Sequence, residues 1–202
     1  MLRGLPEREG PVLIGDPPRE VSVTARIALI GLSGAGKSTV APLLAARLGF
    51  GCTDLDEAVA AAEGVPIPEI LTSRGEDVFR ELEAHALRAA LEADSVVVAC
   101  GAGVVARAEN RELLSRLAYV VWLDVSPDTA ALRLEDAAAS TRPLLRGGTV
   151  ASRLRDLWEV RRALYEEAAD VMVRTDGLTP AGVAEAIETL WKGRLGWGSS
   201  GS

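Results

Sequence analysis

The stretch Gly31-Leu32-Ser33-Gly34-Ala35-Gly36-Lys37-Ser38 constrains this chain more than any other. It has the form GxxxxGK[ST], with an apolar run before it and a helical pattern after it. Such a loop belongs where a strand hands over to a helix. Its glycines let the backbone curl until several N–H groups point inward at a polyphosphate, and the helix beginning near Lys37 adds the positive end of its dipole. Lys37 can bridge the β- and γ-phosphates, and the Ser38 hydroxyl can ligate Mg2+. A chance-matched glycine-rich turn is the alternative, and the strand and helix on either side speak against it. A ligand bound this way lies at the carboxyl ends of the strands of an α/β sheet.

The rest of the chain supplies that sheet. Residues 26–30 (RIALI), 51–54, 95–100 (SVVVAC), 118–123 (AYVVWL) and 170–174 (DVMVR) read as strands. Helical patterns cover 37–48, 68–74, 76–93, 107–117, 151–169 and 180–191. Strands apolar along their whole length and separated by helices mean a parallel sheet in a three-layer α/β domain. The chain has 202 residues, which suits one such domain over 25–193. Residues 1–24, broken by Pro6, Pro11, Pro17 and Pro18, show no period and read as a disordered extension. Residues 194–202, ending in GWGSSGS, read as a flexible tail or a vector-derived remnant.

Composition removes several function classes. The 22 basic and 29 acidic residues leave a net charge of −7, with no basic stripe for nucleic acid. Aromatic residues are only 4%, too few for base-stacking platforms. The longest apolar run, residues 96–106, is about half of what a bilayer span needs. Arg3, Glu7, Arg8 and Glu9 spoil a signal-peptide reading of the start. Cys52 and Cys100 are too few for a disulfide framework or a zinc cage. The expectation is a cytoplasmic monomer that acts on small molecules and has no nucleic-acid or membrane partner.

Candidate acceptor residues follow the later strands. Asp54 and Asp56 (TDLD) stand at the end of the second strand, and their spacing on an extended segment puts both on one face. One can take a proton from an attacking hydroxyl while the other binds the water shell of Mg2+; a helix N-cap at Asp56 is the alternative. Arg80 and Glu83 in FRELE are three apart on a helix, so the glutamate can orient a guanidinium toward a carboxylate, or the two form a surface ion pair. Gly101-Ala102-Gly103 directly follows the third strand and offers backbone N–H groups there, unless it is a plain turn. Thr141-Arg142-Pro143-Leu144-Leu145 lies in an irregular stretch before Gly147 and Gly148, as a lid carrying Arg142 would. Arg161 and Arg162 begin the segment RRALYEEAAD on the helix after that stretch, and either can be a solvated charge. His85, inside the FRELE helix, reads as structural.

In order along the chain, GLSGAGKST, DLD, FRELE, a glycine turn, RPLL and R–R–A–L–Y resemble shikimate kinase from about Arg26 to Trp191. The resemblance implies a three-layer P-loop kinase fold, with a five-stranded parallel sheet flanked by helices and a mobile lid over about 137–148. It also implies transfer of the ATP γ-phosphoryl group to the 3-hydroxyl of shikimate, a step toward chorismate and the aromatic amino acids. By motif, Gly34, Ala35, Gly36, Lys37, Ser38, Thr39 and Arg142 would bind ATP, and Ser38 with Asp54 would serve Mg2+. Asp56 would hold the 3-hydroxyl and act as base, making Lys37, Asp56 and Arg142 the catalytic set. Arg80 and Arg161 would clamp the shikimate carboxylate, with Glu83 supporting Arg80, and Gly101, Ala102 and Gly103 would line the acceptor. Residues 175–180 look like the adenine-contacting segment.

Two departures stand out. Ala102 replaces the middle of three glycines, so its methyl could crowd the substrate, or strain the backbone if φ is positive there. Residues 135–139 (EDAAA) lack the basic residue that many relatives place near adenine. A related kinase acting on gluconate or an aminoshikimate is the second reading. A non-catalytic nucleotide-binding regulator is the third, against which Lys37, Asp56 and Arg142 all speak.

Overall fold

A computed structural model describes residues 12–13, 25–138 and 149–197. Its centre is a six-stranded sheet. The strands are β1 (Val12–Leu13), β2 (Ala25–Ile30), β3 (Gly51–Asp54), β4 (Ser95–Ala99), β5 (Tyr119–Asp124) and β6 (Val171–Arg174), in the spatial order β1-β6-β5-β2-β4-β3. Strands β2 to β6 are parallel, as the unbroken apolar runs require. The central strand β2 lies between β4 and β5, and Ile27 to Ile30 are wholly buried.

The sequence assigned no strand before residue 25, yet Val12–Leu13 pairs antiparallel with β6. Two residues are too few to show a period, and the edge position needs only one side of the ladder.

Register decides where the site can form. Leu29 pairs with Ala99, Ile30 with Trp122, Asp54 with Ala99 and Asp124 with Arg174. The carboxyl ends of all five parallel strands are therefore level, and the segments following each emerge side by side.

The helices are α1 (Lys37–Leu48), α2 (Leu55–Glu63), α3 (Ile67–Arg74), α4 (Glu76–Ala90), α5 (Ala108–Leu117), α6 (Pro127–Ala138), α7 (Val150–Ala168) and α8 (Pro180–Trp197), with a 3-10 turn at Val104–Ala106. Helix α1 packs on α8, and α7 packs on α5, α6 and the 3-10 turn. Helices α2, α3 and α4 enclose a separate small core of Val59, Ile70 and Phe79. That core holds one flank of α4, while Leu87 ties the same helix to the main core.

Two boundaries differ from the sequence reading. Helix α8 runs to Trp197, into the stretch read as a tail, because glycines at 193 and 196 weaken a helix by only about 1 kcal/mol each without breaking it. Helix α6 reaches Ala138, so the first two positions of the expected lid are helical, while 139–148, with Arg142, fall outside the described residues. Among the described residues no helix is long and apolar enough to cross a membrane. Cys100 is buried and Cys52 exposed, both as free thiols.

Candidate active site

The loop between β2 and α1 curls because Gly31, Gly34 and Gly36 take positive φ angles of 138°, 82° and 96°. A side chain would also collide with neighbouring backbone: a Cβ on Gly34 would sit 2.6 Å from the Ala130 carbonyl oxygen. Ala35 occupies the loop without strain, since no non-glycine residue among those described has positive φ. Gly36 caps α1 with no side-chain hydrogen bond, which leaves the N–H groups of Lys37 and Ser38 to a ligand, while that of Thr39 donates to the Gly36 carbonyl. Lys37 opens the helix and is buried. Its Nζ donates to the carbonyls of Gly31 and Leu32, each at 2.8 Å. Burial pushes its pKa down to about 8, against the opposing pull of Cys100, Asp56 and Asp54. Ser38 and Thr39 face the same cleft.

That cleft has a volume of about 640 Å³ and lies along the carboxyl edge of the sheet. Asp54 and Asp56 both line it, though not by the route expected. The chain turns into α2 at Leu55, so the period of an extended strand does not relate the two carboxylates. Asp54 is the helix cap: its Oδ1 accepts from the N–H of Asp56 at 3.0 Å and of Glu57 at 3.4 Å. The cap alternative at Asp56 is thereby corrected, and the Asp56 carboxyl is left to the cleft. Burial, then Asp54, raise the Asp56 pKa, while Lys37 and Arg80 act to lower it.

Beside Asp56, α4 presents Arg80 and Glu83. Arg80 Nη1 donates to Glu83 Oε2 at 2.9 Å, and Nη2 donates to Glu76 Oε1 at 2.9 Å, so two carboxylates hold the guanidinium. The surface-pair alternative fails because Glu83 is 1% exposed. Burial raises the Glu83 pKa against the pull of Arg80. The other oxygen, Oε1, is buried without a hydrogen-bond partner among the described residues and faces the glycine turn.

The turn itself fits between these groups. A Cβ on Gly101 would collide with Glu83 Oε1 and approach Asp56 Oδ1 to 3.0 Å; a Cβ on Gly103 would lie 2.5 Å from Arg80 Cζ. Ala102 lines the cleft, and its φ is not positive, so the strain raised as a possibility is absent. Its carbonyl accepts from Arg161 Nη1 at 3.1 Å and from the Tyr165 hydroxyl at 2.7 Å. Arg161 thus reaches the turn from α7, whereas Arg162 lies over the Trp158 ring. His85 is exposed on α4 and does not line the cleft.

Sequence reasoning overlooked two residues. Arg133 on α6 donates to Gly34 O at 3.2 Å and to Thr175 O at 2.8 Å, joining the phosphate loop to the segment after β6. It lines the cleft, as do Leu134, Thr175, Leu178, Pro180 and Val183, which form its more apolar end. A basic residue at this end was sought in 135–139 and lies one half-turn earlier. Tyr165 is fully buried, stacked on Trp122 at 6.0 Å, and its polar end meets the glycine turn. The signal for it was a tyrosine one helical turn after Arg161.

A family model described as shikimate kinase matches residues 33–191. The shikimate kinase of Symbiobacterium thermophilum is 42% identical over 165 residues, which cover 81% of this chain and 95% of that protein. That of Streptomyces coelicolor is 44% identical over 160 residues, covering 79% and 91%. Among solved structures, shikimate kinase from Acinetobacter baumannii in complex with shikimate superposes with a TM-score of 0.79 at 32% identity, over 85% of this chain and 94% of that one.

Proposed function

The chain belongs to the shikimate kinase family, and we propose that its cleft transfers the γ-phosphoryl group of ATP to the 3-hydroxyl of shikimate, giving shikimate 3-phosphate and ADP. One observation carries the assignment to this chain's own residues. The phosphate loop, a carboxylate and a doubly held arginine border one another at the edge of a single sheet.

The nucleotide takes the long axis of the cleft. Its base fits the apolar end beside Arg133, Leu178 and Pro180, and its phosphates fit the loop from Gly34 to Thr39, where the N–H groups of Gly36, Lys37 and Ser38 are open to them. Lys37 exchanges the carbonyls of Gly31 and Leu32 for phosphate oxygens, with its charge preserved by Asp54 and Asp56 nearby. Among the described residues no cluster of three His, Cys, Asp or Glu side chains could hold a metal alone. Ser38 and Asp54 offer hard oxygens on one cleft, which suits a Mg2+ that arrives with the nucleotide and keeps most of its water. Bound there, the ion neutralises charge on the β- and γ-phosphate oxygens.

Asp56 accepts the proton of the acceptor hydroxyl as its oxygen bonds to the γ-phosphorus, and the bond to the ADP oxygen breaks. The raised pKa of Asp56 suits a group that must take and release that proton. Arg80 and Arg161 pair with the acceptor carboxylate, Glu83 and Glu76 hold Arg80, and N–H groups of the turn from Gly101 to Gly103 face the ring. Arg142 is assigned to the transferring phosphoryl group by its motif alone. We place the enzyme in the cytoplasm as a monomer that acts on two small molecules.

Release of ADP, followed by a coupled assay with shikimate and with gluconate, tests the reading. Turnover with shikimate and none with gluconate is expected. Lys37→Ala should reduce turnover by about 10²–10⁴-fold, since its charge acts where charge develops. Turnover with gluconate in place of shikimate would overturn the acceptor assignment.

A further inference from the structure

The three positions of the glycine turn differ in what a side chain would meet. At 101 it meets the buried Glu83 carboxylate, and at 103 it displaces the Arg80 guanidinium, so at both the acceptor residues themselves must give way. Position 102 is different. Its backbone has no positive φ, its carbonyl is turned to α7 and pinned by Arg161 and Tyr165, and the residue is partly exposed on the cleft. With the carbonyl held by two donors from α7, the methyl group has one fixed place.

That place follows from the two neighbours. Gly101 borders the Asp56 carboxylate and Gly103 borders the Arg80 guanidinium, so Ala102 stands between the group proposed to hold the reacting hydroxyl and the group proposed to hold the carboxylate. In shikimate the carboxylate is on ring carbon 1 and the reacting hydroxyl on carbon 3. Carbon 2 lies between them as a flat alkene carbon with a single in-plane hydrogen. In the saturated analogue, carbon 2 is tetrahedral and its two hydrogens thicken that edge of the ring.

We propose that the methyl of Ala102 is a specificity-determining group that meets ring carbon 2 of the acceptor and selects a flat, unsaturated edge over a saturated one. The inference rests on the acceptor assignment given above and deepens it.

The test is the ratio of kcat/KM for shikimate to kcat/KM for its carbon 1–2 saturated analogue, measured for the wild type, Ala102→Gly and Ala102→Ser. A general loss of competence cancels from this ratio. Removing the methyl should lower the ratio about tenfold, the scale of one carbon in a close-fitting pocket, and the added serine hydroxyl should raise it. A ratio unmoved by either variant would overturn the proposal while leaving the kinase assignment standing. A wild type that turns over neither acid would overturn the parent reading and the proposal together.

Discussion

Burial and the neighbouring Asp54 carboxylate raise the Asp56 pKa, while Lys37 and Arg80 draw it back. Lys37 is the counterpart, pushed down to about 8 chiefly by burial and supported by both aspartates. The proposed transfer needs Asp56 ionised and Lys37 protonated, so kcat/KM for ATP should fall on both sides of neutrality. The acid limb should lie above the ordinary aspartate value of 3.8 and the alkaline limb near 8, because kcat/KM reports the free enzyme. Asp56→Asn keeps the size and one acceptor but cannot take a proton. Turnover should fall about 10²–10⁴-fold with ATP affinity retained. The residual alkaline limb should move to lower pH, since Asp56 helps hold the proton on Lys37. Stability gives an independent sign. A carboxyl whose folded pKa is raised binds protons more tightly in the folded state, so stability is lost as pH rises from 3.8 through the raised value. Asp56→Asn should flatten that part of the melting-temperature profile. Full activity in this variant would remove Asp56 from the chemistry.

The glycine turn and α4 fit together as elements, and two substitutions separate their roles. Gly101→Ala drives a methyl into Glu83, which is buried midway along α4 and held by Arg80. It should cost about 1–3 kcal/mol of stability, read from denaturant unfolding. Gly103→Ala instead pushes on the end of a flexible arginine, and its φ of −98° is open to alanine. Stability should change little while KM for shikimate rises about tenfold, or about 1.4 kcal/mol, with KM for ATP unmoved. Equal losses for both substrates would mean that Arg80 does not serve the acceptor. The strands and long helices of this assembly were legible because their apolar runs have a period. The collision of Gly103 with Arg80 was not, since it depends on how a turn and a helix 23 residues apart in the sequence come together in space. The same holds for Asp54 and Asp56: both line the cleft, but the helix that begins at Leu55 decides which carboxylate caps and which faces the cleft. Arg133 was missed for a related reason, as only the meeting of α6 with the phosphate loop and Thr175 gives it a role.

At the scale of the molecule, level strand ends gather the phosphate loop, the Asp54–Asp56 corner, the glycine turn and the Thr175 segment along one edge. None of these segments belongs to the same strand–helix unit, so a ligand lying along the edge ties four units together and binds the folded state alone. Ligands of that kind raise stability by mass action, about 2.7 kcal/mol at a hundred times Kd. For a domain of this length that corresponds to a rise of roughly 5–10 °C in melting temperature. Mg-ATP and shikimate should each give a shift, because the nucleotide and acceptor ends of the cleft are distinct. Chelating the metal with EDTA should shrink the nucleotide shift and spare the shikimate shift, since Ser38 and Asp54 are the only assigned metal contacts and neither is assigned to the acceptor carboxylate. Lys37→Ala should likewise lose most of the nucleotide shift, whereas Arg80→Ala should lose the shikimate shift. A nucleotide shift of undiminished size in EDTA would remove Mg2+ from the binding step, and a shikimate shift that survives Arg80→Ala would move the carboxylate elsewhere in the cleft.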